Sequence, residues 1–155
     1  MQTFLPYAGF ERSAEVLDDR RLGKQRVEVL QILRALTRER YGWQNHPAVL
    51  MWDGYEEALG AYGLAVCEEW TRRGRPDTCD PKIRAELTDL GIAEPRRQPA
   101  LAEAGALPPW LGDEALHRSH RAALLRKDPG WYGERFADAP DDADYVWPVR
   151  GRRSG

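Results

Sequence analysis

WDGYEEALGAYGLAVCEEWTRRG, residues 52–74, decides the fold class. Trp52, Tyr55, Leu59, Tyr62, Val66 and Trp70 recur every three or four residues. That spacing lines up one face of an α-helix over about five turns, and Gly74 stops it. Asn45 starts this helix, with Pro47 in the first turn, where a missing N–H leaves no bond unmade. Upstream, Leu22, Val29, Leu33 and Leu36 mark another long helix from about Asp18 to Arg40, ended by Gly42. Downstream, Asp80 caps a short helix from Pro81 to Leu90, and Gly91 stops it. Asp113 caps a last helix that buries Leu116, Ala123 and Leu124, and Asp128, Pro129 and Gly130 break it. The first dozen residues are turn-like around Pro6 and Gly9, with Ser13 able to cap a short turn. A Pro-rich connection, residues 94–112, holds PRRQP and LPPWLG. No segment alternates with period two. The expected architecture is all-α: a single compact domain over residues 1–150, with three main helices, a shorter one and long irregular loops. Residues 151–155 should form a frayed tail.

The 155 residues, 42% of them hydrophobic, fit one ordinary domain and exclude disorder along the whole chain. No stretch approaches the ~20 apolar residues of a membrane span, and the start has no secretory pattern. Cys67 and Cys79 form no CxxC and no disulfide framework, so a cytoplasmic protein with reduced thiols is expected. Net charge is −2 and the pI about 6.0, against the basic balance usual for nucleic-acid binders. The cations are clustered, however. Arg20, Arg21, Lys24 and Arg26 form one group, and His117, Arg118, His120, Arg121, Arg126 and Lys127 another. A near-neutral total can therefore contain a basic face.

On the first long helix, Arg26 falls beside Leu22, Val29 and Leu33 in the apolar stripe. A guanidinium there must be paired with an acid or face a cleft, because an unpaired buried charge is too costly. Glu28 lies on the flank of that stripe, four residues after Lys24. It reads either as half of a surface ion pair or as a carboxylate at the rim of a basic groove. His117 and His120, interleaved with Arg118 and Arg121, read as an anion-contacting face rather than metal ligands, and no metal site is expected. His46, beside Pro47, reads as a helix cap or as part of the same polar surface. GxGxxG, Walker and GxSxG patterns are absent, so nucleotide-cofactor and serine-hydrolase chemistry have no support, and no cofactor is expected.

Three blocks together resemble the pyrimidine-dimer DNA glycosylases, small all-α enzymes of phages and bacteria, and look closer to a divergent bacterial branch. LDDRRLGKQRVEVLQIL, residues 17–33, is similar to the family helix that bears basic residues and the catalytic glutamate. NHPAVLMWDGYEEALGAYGLAVCEEWTRRG, residues 45–74, resembles the second helix, which starts near a His and ends in Arg-Gly. HRSHRAALLRKDPGWYGERF, residues 117–136, resembles the last helix and its Trp-Tyr aromatic tail.

The resemblance implies a glycosylase and abasic-site lyase. In the family, the N-terminal α-amine attacks the anomeric carbon of a damaged nucleotide, forms an imine and cuts the strand by β-elimination. Such an amine titrates at about 7.7–8.0, so an appreciable fraction is neutral at physiological pH. The phage enzymes expose a threonine after Met removal. Here Gln2 is too bulky for efficient removal, so the amine belongs to Met1. The family glutamate falls on Glu28. Arg20, Arg21 and Arg26 would clamp phosphates, with Lys24, His46, His117, Arg118, His120 and Arg121 adding to the DNA surface. Trp131 and Tyr132 would contact the opened duplex. The implied partner is double-stranded DNA with a damaged or modified base, met by a monomer and no membrane. A helical nucleic-acid-binding module of the same fold without lyase chemistry is the alternative, and a protein-interaction domain is a third reading.

Overall fold

A computed structural model describes residues 1–137 and 143–148. The expectation for residues 151–155 lies outside them. The described residues hold eight helices: α1 (Phe10–Val16), α2 (Asp19–Thr37), α3 (Pro47–Leu50), α4 (Glu56–Arg72), α5 (Asp80–Asp89), α6 (Gln98–Glu103), α7 (Glu114–Lys127) and α8 (Pro129–Tyr132). Among them there is no strand, and the all-α class stands. No helix among these residues is long and apolar enough to cross a membrane.

The antiparallel logic of the core rests on α2 against α4, the most extensive helix pairing. Leu22, Val29, Leu33 and Leu36 are all buried, as the stripe required. The two helices approach closely because Gly63 has no side chain at the crossing. A Cβ there would come within 2.5 Å of Val29 Cγ1. Trp52 stacks on Tyr62, with ring centres 6.3 Å apart, and Trp110 meets Trp52 edge-on at 4.9 Å. These rings join Phe10, Tyr132 and Phe136 in one contiguous apolar cluster.

Four boundaries differ from expectation, each for a local reason. The helix expected from Asn45 to Gly74 is two helices, capped by His46 and Tyr55 in place of Asn45. Between them, tight i→i−3 bonds (Trp52 N–H to Val49 C=O at 3.1 Å, Tyr55 N–H to Trp52 C=O at 2.8 Å) lead into Gly54 at φ +87°. That left-handed residue ends the turn and re-aims the chain. Meanwhile α2 stops at Thr37, short of Arg40, where the Gln44 side chain donates to Arg38 C=O at 2.7 Å. On α5 the capping carboxylate is Asp77, which accepts from Asp80 N–H at 2.8 Å. Asp80 instead binds Arg84. Short helices α1 and α6 arise in segments expected to be turn and loop, both anchored by Gln98. Asp113 caps α7 as expected, accepting from Ala115 N–H at 3.1 Å.

Candidate functional site

The first six residues run extended through the interior, held by a side chain at almost every step. Gln2 C=O accepts from Gln25 Nε2 at 2.9 Å. Thr3 is buried and its hydroxyl accepts from Trp52 Nε1 at 3.1 Å. Phe4 N–H donates to Gln25 Oε1 at 2.9 Å, and Phe4 C=O accepts from the Tyr62 hydroxyl at 2.7 Å. Leu5 N–H donates to His120 Nδ1 at 3.0 Å, and Leu5 C=O accepts from His117 Nδ1 at 2.8 Å. Arg121 donates to Pro6 C=O at 2.8 Å. Backbone groups that leave water must find partners, and here α2, α4 and α7 supply them. The result is a fixed position for residue one.

That position is beside Glu28. Only 7% of Glu28 is exposed, yet its carboxylate is the hub of a polar cluster. Its Oε2 accepts from Gln2 N–H at 3.2 Å and from Gln25 Nε2 at 3.0 Å, and Lys24 Nζ lies 3.7 Å from Oε1. His46 completes the group. Its Nδ1 accepts from Ala48 N–H at 3.0 Å, so the neutral ring carries its proton on Nε2. Burial lowers the His46 pKa, the Met1 ammonium lowers it further, and the Glu28 charge opposes both. The Met1 amine and the Glu28 carboxylate thus both act on one imidazole, which stays neutral. An amine set beside a buried carboxylate can be deprotonated and then attack an electrophilic carbon, with the carboxylate balancing the cation that forms.

Aromatic rings border this group. Trp43 and Trp147 each stand nearly perpendicular to His46, at 5.9 and 5.8 Å. Tyr145 tilts against Trp147 at 4.7 Å and stacks on His120 at 4.4 Å. Val146 N–H is tied to Ser119 Oγ at 3.0 Å, which pins this segment to α7.

The expected site residues divide. Met1, Glu28, Lys24 and His46 come together. Arg20 and Arg118 are exposed on α2 and α7. Arg21 turns back onto Asp18 at 3.2 Å. Six others turn their polar atoms inward, and four of them, His117, His120, Arg121 and Tyr132, are buried and so are corrected from DNA-facing to internal. Arg26 is half-buried, bridges Asp77 at 2.6 Å and lies 4.4 Å over the Trp70 ring, which satisfies the charge inside the protein. Although burial pushes the Asp77 pKa up, Arg26 and the capped N–H groups hold it below the ordinary range. His117, His120 and Arg121 are buried, bonded to the N-terminal segment, and Arg121 also pairs with Glu114. Burial and the neighbouring His117 push the His120 pKa down to about 3, so it stays neutral. Tyr132 is buried with its hydroxyl bonded to Asp18, and Trp131 donates to Val16 C=O at 2.9 Å. Trp131 fastens α8 to the end of α1, and Tyr132 fastens it to the head of α2.

Sequence reading missed Gln25, Trp43, Tyr145 and Trp147. Gln25 left one signal: a polar residue within the apolar stripe, three positions after Leu22 and four before Val29. The tail rings left none beyond their type. Among the described residues no group of three His, Cys, Asp or Glu could hold a metal ion.

The family described as pyrimidine dimer DNA glycosylase matches residues 1–82, just over half the chain. The match covers Met1, Glu28 and His46 and stops short of α7. No curated protein and no solved structure matches.

Proposed function

Because this chain belongs to the pyrimidine dimer DNA glycosylase family, we propose that it is a DNA glycosylase and abasic-site lyase whose nucleophile is the Met1 α-amine. The observation that carries the reading is the side-chain strap on residues 2–6, which ties Gln2 N–H, the group next to residue one, to Glu28. A flexible terminus would lose that alignment, and positioning of a nucleophile against its base is a large part of such catalysis.

In the proposed sequence, the neutral amine attacks C1′ of the damaged nucleotide. The glycosidic bond breaks with its electron pair on the departing base, which takes up a proton. Glu28 takes a proton from the attached amine and returns it to O4′ as the nitrogen lone pair breaks the C1′–O4′ bond, and the carboxylate then faces the iminium of the ring-opened sugar, an arrangement most effective in a site shielded from water. The imine acidifies the C2′ proton. Its removal expels the 3′ phosphate by β-elimination, and water later hydrolyses the imine to free the amine. His46, neutral and with Nε2–H free to donate, can hydrogen-bond the departing base or the sugar oxygen. Lys24 and Arg20, exposed along the same stretch of α2, would meet the phosphate backbone. Amine and carboxylate come from one chain, so a monomer suffices.

The test is borohydride reduction on duplex DNA containing an abasic site. A covalent adduct mapped to residue one supports the reading. Tight binding without an adduct would replace it with a DNA-binding module lacking lyase chemistry.

A further inference from the structure

Gln25 is only 1% exposed, and its side-chain amide has no hydrogen-bonding capacity left over. Its Nε2 donates to Gln2 C=O at 2.9 Å and to Glu28 Oε2 at 3.0 Å. Its Oε1 accepts from Phe4 N–H at 2.9 Å and from the Tyr62 hydroxyl at 2.8 Å, whose hydrogen it shares with Phe4 C=O. A carboxamide offers two donors and two acceptor positions, so each is taken. The orientation of the amide is fixed from both sides, because Phe4 N–H can only donate and Gln2 C=O can only accept. One side chain thus joins the N-terminal segment, Tyr62 on α4 and the Glu28 carboxylate.

This arrangement makes the two oxygens of Glu28 unequal. Oε2 accepts from Gln25 Nε2 and from Gln2 N–H at 3.2 Å, which occupies both of its in-plane lone pairs. Oε1 has Lys24 Nζ at 3.7 Å, beyond hydrogen-bond range. A proton is taken up most readily by a lone pair that no donor already fills, and Oε1 keeps such lone pairs. The Met1 amine is separated from Gln2 N only by the Met1 Cα and carbonyl carbon, so the same bonds keep the reacting nitrogen near this carboxylate.

We propose that Gln25 is a positioning residue for the lyase reaction: it holds Glu28 by Oε2 and leaves Oε1 as the oxygen that carries the amine proton. The assignment rests on the glycosylase reading. In it, Oε1 takes the proton from the attached amine and gives it to O4′ as the C1′–O4′ bond opens, which restores the carboxylate. Without the Nε2 bonds the carboxylate is free to turn, and residue two loses its link to α2. A displacement of ~1 Å in such a site can cost ~100-fold in rate.

The experiment uses the full chain and compares single-turnover cleavage of duplex DNA bearing an abasic site with binding to the same duplex bearing a tetrahydrofuran there. Gln25→Glu keeps the shape and both acceptors but replaces the amide donor with a group that donates only when protonated. At about pH 8 its cleavage rate should fall about tenfold or more, with Kd for the tetrahydrofuran duplex within about twofold of wild type. Relative to wild type, the deficit should narrow toward about pH 5, because the substituted carboxyl, once protonated, donates to Glu28 again. In a Glu28→Gln background the same substitution should cost less than about threefold, since it acts through Glu28. If Gln25→Glu loses its helical circular dichroism signal, Gln25→Met, uncharged and of similar length, replaces it and is read by rate against binding and in the Glu28→Gln background. An unchanged rate, an equal loss in binding, a deficit of Gln25→Glu that ignores pH, or a full additional loss without Glu28 would overturn the assignment. Wild-type protein that neither cleaves nor traps removes the glycosylase reading and the proton transfer with it, whereas wild-type cleavage with an unimpaired variant removes Gln25 alone.

Discussion

The head of α2 with the nearby His46, and the body of α7, carry the same kinds of residue, basic side chains and histidine among apolar neighbours, and put them to opposite uses. On α7, His117, His120 and Arg121 spend their hydrogen bonds on the backbone of residues 5 and 6 and close off from solvent. Around α2, Glu28 and Lys24 keep charge within reach of the surface, and His46 from the next helix adds an imidazole with one nitrogen free. Polar residue type does not separate a structural strap from a reactive site. What separates them is whether the partner is a fixed carbonyl or an unfilled position. The two regions are also linked, since α7 grips the segment whose first residue the α2 site uses.

The largest effect that could break this contrast is chemical. Glu28→Gln should lower β-elimination on abasic DNA by ~100-fold or more, the scale of general acid–base assistance. The melting temperature should scarcely move, because Gln retains an acceptor for Gln2 N–H. Undiminished strand cleavage in gel assays would remove Glu28 from the mechanism. Next comes the strap. Arg121→Ala orphans Pro6 C=O, while Glu114, largely exposed, is rehydrated. The expected loss is therefore the carbonyl contribution, about 1–3 kcal/mol in urea unfolding. A neutral result would mean that α7 does not hold the N-terminal segment.

Acid sharpens the same contrast. His120 binds a proton when unfolded at about pH 6.5 but, when folded, only near 3. Between those values the unfolded state holds more protons, so stability is full above the upper value and falls as pH drops through the window. The slope should approach about 1 kcal/mol per pH unit, and His120→Gln should flatten it in pH-dependent denaturation curves. The smallest change is Lys24→Ala. Its exposed bridge to Glu28 contributes under ~0.5 kcal/mol of stability. Its effect should appear instead in DNA titrations, as a salt dependence shallower by about one.

Much of the helical frame was legible. The stripes on α2 and α7 are buried as their periods required, as are Leu59, Tyr62 and Val66 on α4 with Trp70 partly covered at its end, and Asp113 caps where its type and place suggested. The break at residues 51–55 was not, because a turn of i→i−3 bonds keeps the three-four rhythm of Trp52 and Tyr55 while ending the helix. Short helices α1 and α6 carry too few residues for a period to register. Of the site, Glu28 and Met1 were reached through the resemblance, and Arg26 by its burial. Tyr132, which the resemblance sets against the duplex, is buried, and adjacent aromatics read the same way inside and out. The indole that is most open to solvent is Trp43, in a loop with no pattern to mark it.

The sequence by itself determined what is local: helix class, the faces that turn inward, the caps, and the requirement that Arg26 find a partner. Those follow from residue spacing along one backbone and from the cost of leaving charge in an apolar setting. Only the tertiary structure decided which polar groups meet. Asp77 reaches Arg26 from fifty-one residues away, and His120 reaches Leu5 from 115. Such pairings depend on how helices dock, and docking is set by the summed packing of the whole core rather than by any short stretch of chain.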